Sequence, residues 1–186
     1  MMILTVANLL TFLRMTLIPV FAVLLFYGYN VLALIVFLVA GISDGIDGVV
    51  ARRYKQQSEL GTVLDPIADK LLMTVAFVVL SMPSVLPSTE YLPVPFWVTA
   101  VVIGRDVLIL ASAVAIFMIT GFRKFKPSAL GKASTVVQVI AVSLVLFASV
   151  SGYSFYLPIV YFLVVLLAVA SGIHYIFYVS NLVREG

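Results

Sequence analysis

The chain has 186 residues, of which 63% are hydrophobic and 10% charged, and its net charge is +3. That is too little polar surface to cover a soluble globule, so the composition places the protein in lipid. The absence of cysteine removes disulfide frameworks and thiolate chemistry, and the weak charge, with no basic face interleaved with aromatics, removes a nucleic-acid partner.

In chain order, hydropathy and helix breakers predict six spans near residues 8–27, 31–52, 62–82, 95–120, 131–150 and 156–180. Gly28 and Asn30 mark the first turn, and Pro83, Pro87, Pro93 and Pro95 mark the polar connection before the fourth span. The last charge-free run, residues 133–183, is long enough for two spans, with Ser149, Ser151, Gly152 and Ser154 supplying the turn between them. Continuous rather than alternating apolar runs rule out β-barrel strands. The expected fold class is therefore an all-α integral membrane bundle of six transmembrane helices, with residues 1–186 forming a single transmembrane domain. A basic leader region is missing, which argues against a cleaved signal.

Lys and Arg set the orientation. Arg52, Arg53 and Lys55 flank one connection, Arg123, Lys124, Lys126 and Lys132 another, and Arg184 the C-terminus, whereas the opposite connections carry neither residue type. Both termini and both basic loops are expected to face the cytoplasm. Arg53 and Lys55 read as ordinary positive-inside charges.

The distribution of charge is more informative than its amount. Residues 44–70 are 27 positions, to which an even spread would assign about three of the 19 charged side chains, and they hold nine. Four of these are intramembrane carboxylates, each costing at least ~2.5–3.5 kcal/mol if ionised at a helix centre. Asp44 and Asp47 are three residues apart and Asp65 and Asp69 four apart, so each pair shares one helix face. With cytoplasmic helix ends near 52 and 62, Asp44 and Asp69 fall about 10–12 Å below the interface, at matching depths. Converging carboxylates repel unless cations lie among them. Two Mg²⁺ or Mn²⁺ ions suit an oxygen-only donor set used for phosphoryl chemistry. Gly48 and Ala51 leave the same helix bare for a substrate, and Arg52 supplies a fork suited to phosphate. A carboxylate-lined cation transporter is the competing reading of another class.

The pattern Asp44-x2-Asp47-Gly48-x2-Ala51-Arg52-x8-Gly61-x3-Asp65-x3-Asp69 resembles the signature of the CDP-alcohol phosphatidyltransferase family at all eight fixed positions. The N-terminal NLLTFLRMTLIPVF and the six-helix layout extend the likeness over most of the chain. The resemblance implies a homodimer of six-helix subunits in a membrane, here expected to be the bacterial cytoplasmic (inner) membrane, with a dinuclear metal site facing the cytoplasm. It implies CDP-diacylglycerol as donor, a lipid or small alcohol as acceptor, and CMP as product. By motif position, Asp44, Asp47 and Asp65 correspond to ligands of one metal ion and Asp44, Asp65 and Asp69 to ligands of the other. Asp69 also corresponds to the base that takes the acceptor's proton. An ordinary Asp, with a pKa of ~3.9, is a weak base for an alcohol, so metal-assisted polarisation shares that work. Gly48, Ala51, Arg52, Ser58 and Gly61 match the surroundings of the CDP moiety, and Asn8 lies in the stretch that closes over it.

The acceptor depends on the remaining polar residues. Arg105, adjacent to Asp106 in the fourth span, and Lys132 at the entry to the fifth are the candidates for binding it. Counting from residue 122 sets Arg105 ~25 Å from the cytoplasmic end, deeper than the carboxylates, so either helix four protrudes and is offset or Arg105 only pairs with Asp106. NLLTFLR, DPIADK and the GK before helix five look like the phosphatidylglycerophosphate synthase branch, which uses glycerol 3-phosphate. That branch carries an Arg-Glu pair and a second Arg in helix four, whereas GRDVLILASAVAIF has Asp106 and no further Arg. GRDVLILASAV and FKPSALGKASTVVQ read more like the cardiolipin synthase branch, which uses phosphatidylglycerol, and the sequence favours that acceptor. Arg14 is open to two readings, snorkelling to the interface or joining the site beside Asn8 and Thr11. His174 reads as a packed, hydrogen-bonded helix residue.

Overall fold

A computed structural model describes the backbone of residues 6–54, 59–120 and 129–185 and the side chains of residues 11–43, 67–112 and 129–177. The described residues form six helices: α1 (Val6–Phe26), α2 (Asn30–Tyr54), α3 (Glu59–Leu80), α4 (Phe96–Thr120), α5 (Ala129–Ser151) and α6 (Leu157–Glu185). Their ends fall within a few residues of the sequence expectation, except that α6 runs on to Glu185. Two helical stretches among the described residues, Ala129–Ser151 and Leu157–Phe177, are long and apolar enough to cross a membrane. In an apolar medium each helix must satisfy its own backbone, which is why long uninterrupted helices dominate.

The breaks between helices have local causes. α1 ends in a Schellman motif: Gly28 adopts φ 77°, its N–H donates to the Leu25 carbonyl at 3.0 Å, and Tyr29 N–H donates to Leu24 at 2.8 Å. Glycine suits that left-handed residue, which an L side chain rarely adopts. α5 ends in the simpler form, with Gly152 at φ 76° and its N–H on the Ala148 carbonyl at 2.9 Å. Between α3 and α4 the chain folds back on its own core: Val94 N–H donates to the Leu80 carbonyl at 3.0 Å, and Val85, Leu86, Leu92 and Val94 are buried. At the tip of that connection Tyr91 donates to Glu90 at 2.8 Å, which with the carboxylate charge raises the phenol above its usual range. Pro158 sits in the first turn of α6, where its missing N–H costs nothing.

The chain divides into two compact units. The first contains α1, α2, α3, the connection to Val94 and residues 142–154. There α1 packs on both α2 and α3 through an inward stripe of Thr11, Arg14, Ile18, Phe21 and Leu25, spaced alternately three and four residues apart as one helix face requires. Phe21 meets Phe37 of α2 at a ring-centroid distance of 5.7 Å, and Ala33 and Ala40 on either side of Phe37 allow close helix approach. The second unit contains α4, α6 and residues 129–141 of α5. α4 packs on α6 through Val98, Val102 and Arg105 on one side and Tyr161, Val164, Ala168 and Ser171 on the other. Tyr27, Tyr29 and Tyr153 in the first unit, and Phe96, Trp97 and Phe155 in the second, are exposed at helix ends, where aromatics settle at a lipid–water boundary.

Candidate active site

The acidic positions of α2 and α3 fall in register with residues that are buried elsewhere on the same helices. On α2 the buried positions 33, 37 and 40 continue by the same spacing to 44, 47 and 51 within one unbroken helix. On α3 the positions 65, 69, 72 and 76 make one such series, in which Leu72 and Ala76 are buried and Asp69 is half-buried. From the observed helix ends Tyr54 and Glu59, Asp44 and Asp69 each lie about 15 Å along their helices, and Asp47 and Asp65 about 10 Å, at 1.5 Å per residue. The depths therefore match as two pairs, slightly deeper than the sequence estimate.

α1 supplies a buried cation to the same unit. Arg14 is 0% exposed and lies beside Thr11, also 0% exposed, about 12 Å from the start of α1 at 1.5 Å per residue. This corrects the snorkelling reading, because the guanidinium is inside the unit rather than at an aqueous boundary. A fully buried cation is costly unless opposite charge balances it, and the unit that holds Arg14 also holds Asp44, Asp47, Asp65 and Asp69.

Several predicted residues can be placed by backbone alone. Asn8 is on α1, Asp44, Asp47, Gly48, Ala51 and Arg52 are on α2, and Gly61 and Asp65 are on α3, with side chains outside the described residues. Ser58, Lys55, Arg123, Lys124 and Lys126 also lie outside the described residues. For that reason no group of three or more metal-ligating side chains occurs among the described residues. A cavity of about 340 Å³ lined by Gly28, Tyr29, Asn30 and Ser149 sits at the opposite end of α1 and α2 and contains none of the predicted residues.

In the second unit Arg105 is 8% exposed and has two partners. Its Nη1 donates to Asp106 Oδ1 at 2.7 Å, and its Nε and Nη2 donate to Ser171 Oγ at 3.2 and 2.5 Å. The neighbouring aspartate was legible in the sequence, but the serine of α6 was missed. The available signal was the cluster of small residues Ala168, Ala170, Ser171 and Gly172 in a helix built mostly of bulky side chains. Lys132 is exposed near the start of α5. His174 is exposed, which corrects its reading as a packed residue: it lies on the outward face with Ile173, Ile176 and Phe177.

Residues 4–176 match the CDP-alcohol phosphatidyltransferase family. The chain belongs to that family. It is 34% identical over 189 residues to the cardiolipin synthase (CMP-forming) / mitochondrial hydrolase fusion protein of Schizosaccharomyces pombe, covering 92% of this chain and 30% of that protein. It is 33% identical over 177 residues to the probable phosphatidylglycerophosphate synthase of Mycobacterium tuberculosis, covering 91% of this chain and 79% of that protein. Human cardiolipin synthase (CMP-forming) is 32% identical over 192 residues, covering 94% of this chain and 61% of the human protein. The family is membrane-bound and generally depends on divalent metal ions. Members are enzymes, which sets the transporter reading aside.

Proposed function

We propose that the protein transfers the phosphatidyl group of CDP-diacylglycerol to the hydroxyl of phosphatidylglycerol, forming cardiolipin and releasing CMP. The observation that carries the transfer chemistry is the pair of depth-matched carboxylate positions on α2 and α3 within a chain matched to the family along nearly its whole length. The four carboxylates Asp44, Asp47, Asp65 and Asp69 fit two hard divalent cations, since the donor set is all oxygen and carries excess negative charge. When bound, the ions neutralise charge on the diphosphate and acidify the attacking hydroxyl.

The chain's own groups do the rest. Asp69 accepts the proton of the acceptor hydroxyl. The hydroxyl oxygen bonds to the phosphorus carrying diacylglycerol, the bond from that phosphorus to the bridging oxygen breaks, and CMP leaves with the bridging oxygen. Gly48, Ala51 and Gly61 leave room for the CDP moiety, Arg52 and Ser58 bind it, and Asn8 closes over it. Arg105 and Lys132 bind the acceptor. This reading includes six membrane spans, a single domain over residues 1–186, a homodimer, and a site on the cytoplasmic side of a bacterial inner membrane.

One specific observation supports phosphatidylglycerol over glycerol 3-phosphate. Asp106 offsets the charge of Arg105 at 2.7 Å, which suits a singly charged phosphodiester better than a doubly charged phosphate monoester. Glycerol 3-phosphate is the second reading, supported by the likeness to the mycobacterial relative. The deciding experiment incubates purified protein with CDP-diacylglycerol and Mg²⁺ or Mn²⁺, offers each acceptor separately, and identifies the lipid formed alongside CMP. Cardiolipin from phosphatidylglycerol alone is expected. Phosphatidylglycerophosphate would overturn the choice of acceptor, and no CMP release with either would overturn the transfer reading.

A further inference from the structure

Hydroxyls on these apolar helices share a common arrangement. Thr16, Ser43, Ser112 and Thr135 each donate to the carbonyl one turn earlier, at 3.0, 2.7, 2.7 and 3.2 Å, the back-bond by which a helix satisfies a hydroxyl without outside help. Ser171 departs from it. Its oxygen is turned across to α4, where it accepts from Nε and Nη2 of Arg105, and the residue is 1% exposed. Next to it, Gly172 lies alongside the arginine stem, where an added Cβ would meet Arg105 Cγ at an ordinary contact distance of 3.8 Å.

A guanidinium is planar and has five N–H groups. Ser171 takes two along one edge and Asp106 takes one on Nη1. Two partners on different helices fix both the plane and the direction of the group, and among the described residues they leave one N–H on each terminal nitrogen without a partner. Such a fork, held in an apolar unit and partly neutralised, is prepared for an oxyanion rather than left to find one.

We propose that Ser171 is a positioning residue for the acceptor. Its hydroxyl holds the Arg105 guanidinium in the orientation that binds the acceptor's phosphate oxygens, a chemistry shared by phosphatidylglycerol and glycerol 3-phosphate. The proposal rests on the reading of Arg105 as an acceptor-binding residue, and the test separates the two.

The full-length protein in mixed micelles, with CDP-diacylglycerol and Mn²⁺, is assayed for KM and kcat with phosphatidylglycerol and with glycerol 3-phosphate in separate arms, and the arm that yields product is read. Arg105→Gln should raise the acceptor KM by roughly a hundredfold, with the donor KM unchanged. An acceptor KM within about twofold of the parent would overturn the reading of Arg105, and the role of Ser171 with it. Ser171→Ala should raise the acceptor KM by about tenfold, leave the donor KM unchanged, and add nothing in the Arg105→Gln background. Ser171→Thr, which keeps the hydroxyl, should restore the parent value. An acceptor KM unmoved by Ser171→Ala while Arg105→Gln raises it overturns the positioning role and leaves Arg105 in place. A change in donor and acceptor KM together, in protein that elutes and melts like the parent, also overturns it, because a merely structural serine would act that way. If the alanine variant does not fold, Ser171→Cys, similar in size but a weak acceptor, takes its place with the same expected rise.

Discussion

The two units of this chain treat charge inside an apolar fold in opposite ways. In the first, four aspartate positions continue the helix faces that are buried earlier in α2 and later in α3, and α1 adds the buried cation Arg14. In the second, the one buried cation of α4 has a carboxylate beside it and a serine hydroxyl from α6 against its other edge. On the function proposed above, the first arrangement takes added cations and serves chemistry on a diphosphate. The second is close to neutral by itself and is suited to recognition, where a fixed direction matters more than net charge.

The largest test of this contrast is Asp69→Asn. If the excess carboxylates carry the reaction, the variant should lose CMP release by about a thousandfold or more while keeping its elution volume and melting profile. Activity within tenfold of the parent would remove Asp69 as the base.

Arg14→Leu probes the opposing charge. If this fully buried guanidinium balances the aspartates of its unit, removing it should lower stability by about 3 kcal/mol, measured by denaturant unfolding in detergent, with Arg14→Lys intermediate. A leucine variant as stable as the parent would show that the aspartates do not rely on α1 for charge balance.

A smaller effect is expected at Lys132, which is exposed. Lys132→Ala should raise the acceptor requirement by about two- to threefold, and the difference should fade at high salt. An acceptor titration identical at low salt would take Lys132 out of the site. The smallest expected change is Gly28→Ala, where the positive φ should cost about 1 kcal/mol. Nothing lies within 4 Å of the added Cβ, so the penalty is torsional, and a variant that melts with the parent would show that the turn relaxes without cost.

Much of the architecture was legible locally. Helix lengths followed from uninterrupted apolar runs, and Gly28 and Gly152 marked helix ends because a left-handed cap selects glycine. The carboxylates were legible for the same reason: residues three and four apart share a helix face wherever the helix is placed. Arg14 was not settled by sequence, since an arginine one-third of the way along a helix is equally able to snorkel or to be buried. The structure buries it because α1 presents that face to both α2 and α3. His174 went the other way, because its helix turns the face of Ile173, Ile176 and Phe177 outward.

The sequence by itself determined that this is an all-helical membrane protein with five of its eight acidic residues gathered in one helix–loop–helix segment, since composition, period and spacing are properties of short stretches. Only the tertiary structure decided that Arg105 is held by a serine 66 residues away and that Arg14 is sealed inside its unit. Helical periodicity states which residues share a face, whereas the identity of the opposing face depends on how segments distant in the chain pack together.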